Sequence, residues 1–118
     1  MTPFGQKVRE LRSMRGIALK AMAHEIGVSP AYLSALEHGR RGAPTWCLVQ
    51  RVIAFFNVIW DEAEELERLA KVSSPKLQID AGGLSPLVTE AANIFARGIS
   101  SLSDEEAARI ITLLAEKN

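Results

Sequence analysis

The stretch HEIGVSPAYLSALEHGRR, residues 24–41, combines a glycine turn, a short apolar segment and a basic end. Gly27 breaks the first part. Ser29 followed by Pro30 favours the start of a helix, because serine caps free N–H groups and proline suits the first helical position. Apolar residues then recur at helical spacing until Gly39, a favoured helix terminator. The stretch therefore predicts a tight turn that leads into a short helix.

Further short helices are predicted on both sides of this stretch. The first ends at Gly16 and the second at Gly27, a fourth begins at a Thr45 cap and ends at Asn57, and a fifth begins at Asp61. The expected core positions are Phe4, Val8 and Leu11 in the first helix, Met22, Ala23 and Ile26 in the second, Tyr32, Leu33 and Leu36 in the third, Trp46, Val49, Val52, Ile53 and Phe56 in the fourth, and Ala63, Leu66, Leu69 and Ala70 in the fifth.

The composition divides the chain into a five-helix domain over residues 1–72, a linker over residues 73–84 and an extension over residues 85–118. The linker is rich in serine, proline and glycine, and its alternating patch at 77–79 leaves a short strand open. The extension predicts two amphipathic helices with serine caps. Because two such helices cannot bury their apolar faces alone, we expect them to pack on the first domain or on another chain.

The charge is unevenly divided, although the formal net charge is zero. Residues 1–45 hold seven basic and three acidic side chains, whereas residues 46–118 hold seven basic and eleven acidic ones, a charge of +4 against −4. This asymmetry indicates that one side of the protein faces a polyanion and that another side faces a different partner. The alternative is that the charges belong to an ordinary solvated surface.

Several classes of function are disfavoured. The single cysteine, Cys47, excludes an intramolecular disulfide and fits a reducing cytoplasm. The polar start MTPFGQKVRE is not a signal peptide, and the apolar run VIAFFNVIW is too short to cross a bilayer, so no membrane association is expected. Without a glycine-rich phosphate loop, a catalytic triad or metal-ligand spacing, the sequence predicts no enzyme, no cofactor and no metal.

The longer stretch LRSMRGIALKAMAHEIGVSPAYLSALEHGRRGAPTWCLVQRVIAFFNV resembles the Xre/Cro family of bacterial and phage repressors, which have the lambda-repressor-like helix-turn-helix fold. The resemblance covers about residues 4–70. It rests on the motifs L-R-x-x-R-G, A-x-x-I-G-V-S and Y-L-S-x-L-E-x-G, then a basic loop, a proline and an apolar helix. It implies an all-α domain in the bacterial cytoplasm, associated with the nucleoid, whose helix 29–37 enters the ~12 Å major groove of double-stranded DNA.

The resemblance also implies particular site residues. Those expected to face base edges are Ser29, Pro30, Ala31, Tyr32, Ser34 and Ala35. Those expected at phosphates or in the minor groove are Lys20, His38, Arg40, Arg41 and Thr45. Arg12 and Glu37 fall where the family often has a charged pair that links the first and third helices.

Two departures from the family pattern change the expected recognition. Ala18 and Leu19 stand where relatives have a hydroxyl cap and a glutamine that touches a phosphate, so Lys20 is expected to replace that contact. The third helix also lacks the Gln, Arg and Asn side chains that make bidentate contacts with bases. Reading then falls to two serine hydroxyls, Tyr32 and apolar contacts with thymine methyls, with specificity also from DNA shape and half-site spacing.

A homodimer on a pseudo-palindromic operator is expected, because one such domain contacts little DNA. The residues assigned to dimerisation are Leu48, Phe55, Leu87, Ile94, Phe95, Ile110, Leu113 and Leu114. An alternative is that the extension folds back over Leu48 and Phe55. Trp46 and Trp60 are expected to lie in the core, and Cys47 to be a partly buried thiol.

The main hypothesis is a sequence-specific dimeric repressor. The alternative is an antitoxin of a toxin–antitoxin pair, which would bind its own operator through the helix-turn-helix and a toxin, or another regulator, through residues 74–118. A ligand-sensing repressor ranks lower, because the extension is too small to enclose a pocket.

Overall fold

The computed structural model describes residues 1–117, which contain seven α-helices and a short 3₁₀ turn. The helices are α1 (Pro3–Met14), α2 (Leu19–Ile26), α3 (Pro30–Glu37), α4 (Trp46–Phe56), α5 (Asp61–Lys71), α6 (Pro86–Gly98) and α7 (Asp104–Ala115). The 3₁₀ turn spans Ile99–Ser101. The predicted all-α fold is therefore confirmed, and residues 77–79, where a strand was left open, have no regular secondary structure.

The chain divides into two compact units, the first over Met1–Leu77 and the second from Gln78 onward. Asn118, the end of the predicted extension, lies outside the described residues. Ser73, which the sequence places in the linker, is buried in the first unit. Its Oγ accepts a hydrogen bond from the Phe4 N–H at 2.8 Å and donates to the Leu69 carbonyl oxygen at 2.6 Å.

The predicted helix boundaries follow from local chemistry. Ser29 Oγ accepts from the Tyr32 N–H at 3.0 Å, and Thr45 Oγ1 accepts from the Leu48 N–H at 3.2 Å, so each satisfies one free donor of its helix. Gly27 and Asn57 take the left-handed conformation and end α2 and α4. The expected caps and terminators are confirmed.

One apolar core fills the first unit and draws on all five of its helices. Its buried residues are Phe4, Val8, Met22, Ala23, Ile26, Leu33, Leu36, Leu48, Val49, Val52, Phe56, Val58, Leu66 and Ala70. Leu11, Tyr32, Ile53, Ala63 and Leu69 pack partly buried against it. Most of the predicted core positions are therefore confirmed.

The expected burial of the two tryptophans is wrong. Trp46 is 71% exposed and Trp60 is 79% exposed. Trp46 is the first residue of α4, and helical side chains lean towards the N-terminus, so its indole reaches past the end of the core. Trp60 precedes α5 in a positive-φ conformation that turns it away from the helix. Cys47, expected to be partly buried, is exposed.

The assignment of Leu48 to a dimer surface supposes that this residue is exposed, but Leu48 is only 5% exposed. Leu48 precedes Val52 by four residues, which places both on the same face of α4. Its burial removes the reason for assigning it to a dimer surface. Phe55 is partly buried and packs edge-on against Phe56, with ring centroids 5.1 Å apart.

In the second unit, the two helices begin at the expected serines. Ser85 caps α6, and Ser103 and Glu106 form a reciprocal capping box at α7, with bonds of 3.0 and 3.1 Å. None of residues 78–117 is fully buried. Phe95, Leu102 and Ile110 are half-buried, whereas most other apolar side chains of this unit are exposed.

Candidate nucleic-acid interface

The helix-turn-helix is formed by α2, the turn at Gly27 and α3. Gly27 has φ of 78°, and the Val28 N–H donates to the Ala23 carbonyl oxygen at 3.0 Å, so the chain reverses within three residues. Leu33 and Leu36 bury one face of α3 in the core. The opposite edge of α3 is thereby held outward at a fixed angle.

Five of the six predicted base-facing residues lie in α3, Ser29 is its N-cap, and none of the six is fully buried. Ser29, Pro30 and Ala31 are exposed, and Tyr32, Ser34 and Ala35 are half-buried. The Ser29 oxygen already accepts the cap bond, but its O–H is still able to donate. All six are therefore at least partly accessible to solvent, although Tyr32 also packs against the core.

The basic loop after α3 turns back along the helix. Gly39 takes a left-handed conformation with φ of 71°, and the Arg40 N–H donates to the Ala35 carbonyl oxygen at 2.8 Å. This closure resembles the Schellman motif. It brings the guanidinium carbon of Arg41 to 5.4 Å from the centroid of the Tyr32 ring. Sequence reasoning missed this contact, because nine residues separate the two and no helical spacing relates them.

His38 is exposed and folds back on α3. Its Nδ1 lies 2.8 Å from the Ser34 carbonyl oxygen, so Nδ1 carries a proton and donates it there. Only the doubly protonated ring is then able to donate from Nε2 to a phosphate.

Lys20 and Thr45 lie at the starts of two other helices. Lys20 is exposed in the first turn of α2, and no side chain caps that turn at Ala18. Thr45 is exposed before α4, with its oxygen in the cap bond and its O–H able to donate. The departure at Ala18 therefore leaves the first N–H groups of α2 without the side-chain cap that relatives have.

Arg12 and Glu37 form the ion pair that the resemblance implies. Arg12 Nε and Nη2 donate to the two carboxylate oxygens of Glu37 at 2.8 and 3.0 Å, and Arg12 Nη1 donates to the Ile17 carbonyl oxygen at 3.0 Å. The hydrogen bonds that Arg12 donates to the Glu37 carboxylate raise the pKa of its guanidinium. Glu37 is only 1% exposed, so its carboxylate holds the fold and does not face solvent.

Two other arginines are used inside the first unit, which sequence reasoning missed. Arg15 donates to the Phe56 carbonyl oxygen at 2.5 Å and lies over the Phe56 ring, and Arg51 donates to the Ile26 carbonyl oxygen at 3.4 Å. Each satisfies a carbonyl at the C-terminus of a helix, where a cation is favoured. Of these two, only Arg15 belongs to residues 1–45, so one of the seven basic side chains counted there is engaged inside the first unit.

Residues 1–117 contain no cluster of three or more His, Cys, Asp or Glu side chains arranged to hold a metal ion. In the same residues, no helix has both the length and the apolar character needed to cross a membrane.

Comparisons with known proteins find similarity to helix-turn-helix proteins. The sequence profile of the family described as "Helix-turn-helix domain" matches residues 5–72. The uncharacterized HTH-type transcriptional regulator RghRB of Bacillus subtilis (strain 168) is 36% identical over 61 residues, which cover 52% of this chain and 44% of that protein. The chain thus matches less than half the length of this relative.

Among solved structures, a chain of the SinR protein/SinI protein complex is similar to this chain with a TM-score of 0.44 and 22% sequence identity, over 84% of this chain and 99% of that chain. The family follows from the profile, which spans more than half of the chain and includes α2, the Gly27 turn and α3. The chain therefore belongs to the helix-turn-helix domain family, and its resemblance to the Xre-type regulators is confirmed.

Proposed function

We propose that this chain is a sequence-specific, dimeric transcriptional repressor that inserts α3 into the major groove of double-stranded DNA. The observation that carries the proposal is the uncovered edge of α3, whose opposite face is buried by Leu33 and Leu36. A helix of this diameter fits the ~12 Å groove, and the preceding helix then crosses the phosphate backbone.

Base reading rests on few groups in this proposal. Ser29 and Ser34 offer hydroxyls, Tyr32 offers a ring and a hydroxyl, and Pro30 and Ala31 offer apolar contact to thymine methyls. The small side chain of Ala35 allows the wall of the groove to approach α3 closely, but it offers no hydrogen bond. We expect discrimination between bases to be weaker than in proteins that use bidentate Gln, Asn or Arg contacts.

Affinity comes from the groups that flank α3. Lys20, Arg40 and the Thr45 hydroxyl are exposed and placed at the ends of α2, α3 and α4. The exposed His38 is proposed to contact phosphate beside them. Such phosphate contacts position the protein and make binding depend on salt, without selecting a sequence.

The second unit supports dimerisation. Its helices bury no residue fully among residues 78–117, while Ile94 is 63% exposed and Leu113 is 59% exposed. Two amphipathic helices with this much exposed apolar surface gain stability when another chain covers them. The residues proposed for the dimer surface are Phe55, Leu87, Ile94, Phe95, Ile110, Leu113 and Leu114. In this role the chain would act in the bacterial cytoplasm, in association with the nucleoid.

Selection of bound fragments from randomly sheared bacterial genomic DNA tests the proposal. The expected result is a short palindromic motif with half-sites about one helical turn, ~34 Å, apart. Recovery of fragments without any shared motif at physiological salt would contradict sequence-specific binding, since phosphate contacts alone retain unrelated fragments chiefly at low salt. A single unpaired half-site would contradict the dimer, and a chain that is monomeric at micromolar concentration would favour an extension that serves a different protein, as in an antitoxin.

A further inference from the structure

Arg41 and Tyr32 form a pair across the edge of α3. The Arg41 guanidinium carbon lies 5.4 Å from the centroid of the Tyr32 ring, within the range of a cation–π contact. Tyr32 also packs partly buried against the core, and its N–H donates to Ser29 Oγ. The ring that is proposed to read bases therefore contacts both the core and a cation.

The two neighbouring arginines are held differently. Gly39 turns the chain, and a Cβ at this position would lie 2.8 Å from the Thr2 backbone nitrogen, so the turn requires glycine. The backbone N–H of Arg40 donates a hydrogen bond to the Ala35 carbonyl oxygen in α3. The side chain of Arg41, one residue later, contacts the Tyr32 ring. Adjacent residues of the same type thus have different surroundings.

We propose that Arg41 is a positioning residue for sequence reading, whereas Arg40 contributes affinity alone. The guanidinium of Arg41 holds the Tyr32 ring in the orientation that presents its hydroxyl to the base edges. A ring with freer rotation would lose a defined hydrogen-bonding direction and would tolerate more bases. This inference rests on the proposed function, because it concerns how α3 distinguishes DNA sequences.

A planar guanidinium is essential to this role. Arginine stacks on an aromatic face through its flat, delocalised cation, and lysine offers a compact charge instead. Arg41→Lys therefore preserves the charge available to phosphates and weakens the hold on Tyr32. Arg41→Lys thus separates the positioning of Tyr32 from the binding of phosphate in a single substitution.

The test selects DNA from a library of duplexes with a random 20-base-pair core, chosen by the wild-type chain and by four variants: Arg40→Ala, Arg41→Ala, Arg41→Lys and Tyr32→Ala. We expect Arg41→Ala, Arg41→Lys and Tyr32→Ala to lose base preference at the same motif positions. Arg40→Ala should keep the wild-type motif and bind all sequences more weakly. The matched pair of arginine-to-alanine changes removes one charge in both cases.

Quantitative binding measures the coupling. A double-mutant cycle of Arg41→Ala and Tyr32→Ala, on the selected duplex, should show a coupling of about 2- to 5-fold in affinity, the range for an exposed cation–π pair. The same cycle on a shuffled duplex of equal composition should show additive effects.

Tyr32 is the single tyrosine, so its ring resonances can be followed by NMR in the free protein. These resonances should shift in Arg41→Ala, which would confirm the contact, while the remaining spectrum shows that the chain is folded.

The outcomes separate this inference from the proposed function. If the wild-type chain selects no motif, sequence-specific binding itself fails. If it selects a motif that Arg41→Ala preserves, or if Arg41→Ala alters positions that Tyr32→Ala leaves unchanged, DNA reading remains and Arg41 is not the residue that positions Tyr32.

Discussion

Glu37 is buried in the first unit, and both of its carboxylate oxygens accept hydrogen bonds from Arg12. Arg12 also donates to the Ile17 carbonyl oxygen, so one guanidinium joins α1, α3 and the turn after α1. A buried carboxylate that loses such a partner keeps the cost of its removal from water without compensation. One ion pair therefore ties α3 to α1, in addition to the buried contacts of Leu33 and Leu36.

We expect Arg12→Met to lower the free energy of unfolding by about 3 kcal/mol, measured by urea denaturation followed by circular dichroism. The double variant Arg12→Met, Glu37→Leu should recover most of this loss, because it removes both charges. Arg68→Met is the control, since the Arg68–Glu65 pair is exposed and such pairs contribute little. Equal stability of Arg12→Met and Arg68→Met would contradict the structural role of the pair.

Gly5 sets the distance between α1 and α3. A Cβ at this position would meet the Leu36 carbonyl oxygen and lie 2.9 Å from that of Glu37, and these are backbone atoms that cannot rotate away. We expect Gly5→Ala to destabilise the first unit by about 1–3 kcal/mol in the same urea experiment. Gly42→Ala, where a Cβ meets open space, should stay within about 0.5 kcal/mol of wild type. Similar changes in the free energy of unfolding for both variants would show that α1 and α3 can move apart without cost.

At the scale of the elements, the sequence predicts what depends on neighbours along the chain. Ser29, Thr45 and Asn57 were identified correctly because caps and terminators act over three or four residues. Trp46 was misplaced because its burial depends on where α4 begins relative to the core, which no local pattern records. Arg41 was expected only at phosphates or in the minor groove, since its contact with Tyr32 depends on the path of a loop.

The start of α7 is predicted to respond to acid. The hydrogen bond from the Ser103 N–H lowers the pKa of the Glu106 carboxyl below its ordinary value of 4.5. Because the folded pKa is depressed, its contribution to α7 is present above pH 4.5 and is lost as the pH falls through the folded value. We expect the ¹³Cα shifts of the first turn of α7 to move towards random coil on acidification.

Glu106→Gln and Glu105→Gln provide the controls for this acid response. Gln at position 106 still accepts the Ser103 N–H and does not titrate, so its first turn should be stable over the same pH range. Glu105→Gln, which leaves the box intact, should retain the wild-type response. If Glu106→Gln shows an undiminished acid transition, the transition arises from the other carboxylates of that turn and not from Glu106.

For the whole molecule, DNA binding is predicted to depend on association, whereas the stability of the first unit is not. The second unit carries exposed apolar residues on both of its helices, and the first unit has a complete core of its own. We expect Ile94→Asp to yield monomers in sedimentation experiments while the first unit unfolds at unchanged urea concentration. Affinity for a two-half-site duplex should fall by about 100-fold or more, with affinity for one half-site preserved.

Ser100→Asp is the matched control, because it adds the same charge at an exposed position outside the proposed dimer surface. It should leave both sedimentation and binding unchanged. If Ile94→Asp remains dimeric, the association surface lies elsewhere. If it binds two half-sites as tightly as before, dimerisation does not contribute to operator affinity.

The two exposed indoles have a spectroscopic consequence. Trp46 and Trp60 are the only tryptophans in the sequence, and both already contact solvent in the folded chain. Their fluorescence emission should therefore lie close to that of free tryptophan and change little when the chain unfolds. A blue shift on adding DNA or at higher protein concentration would instead mean that a macromolecule has covered one of them, so the intrinsic emission serves as a label-free monitor of association.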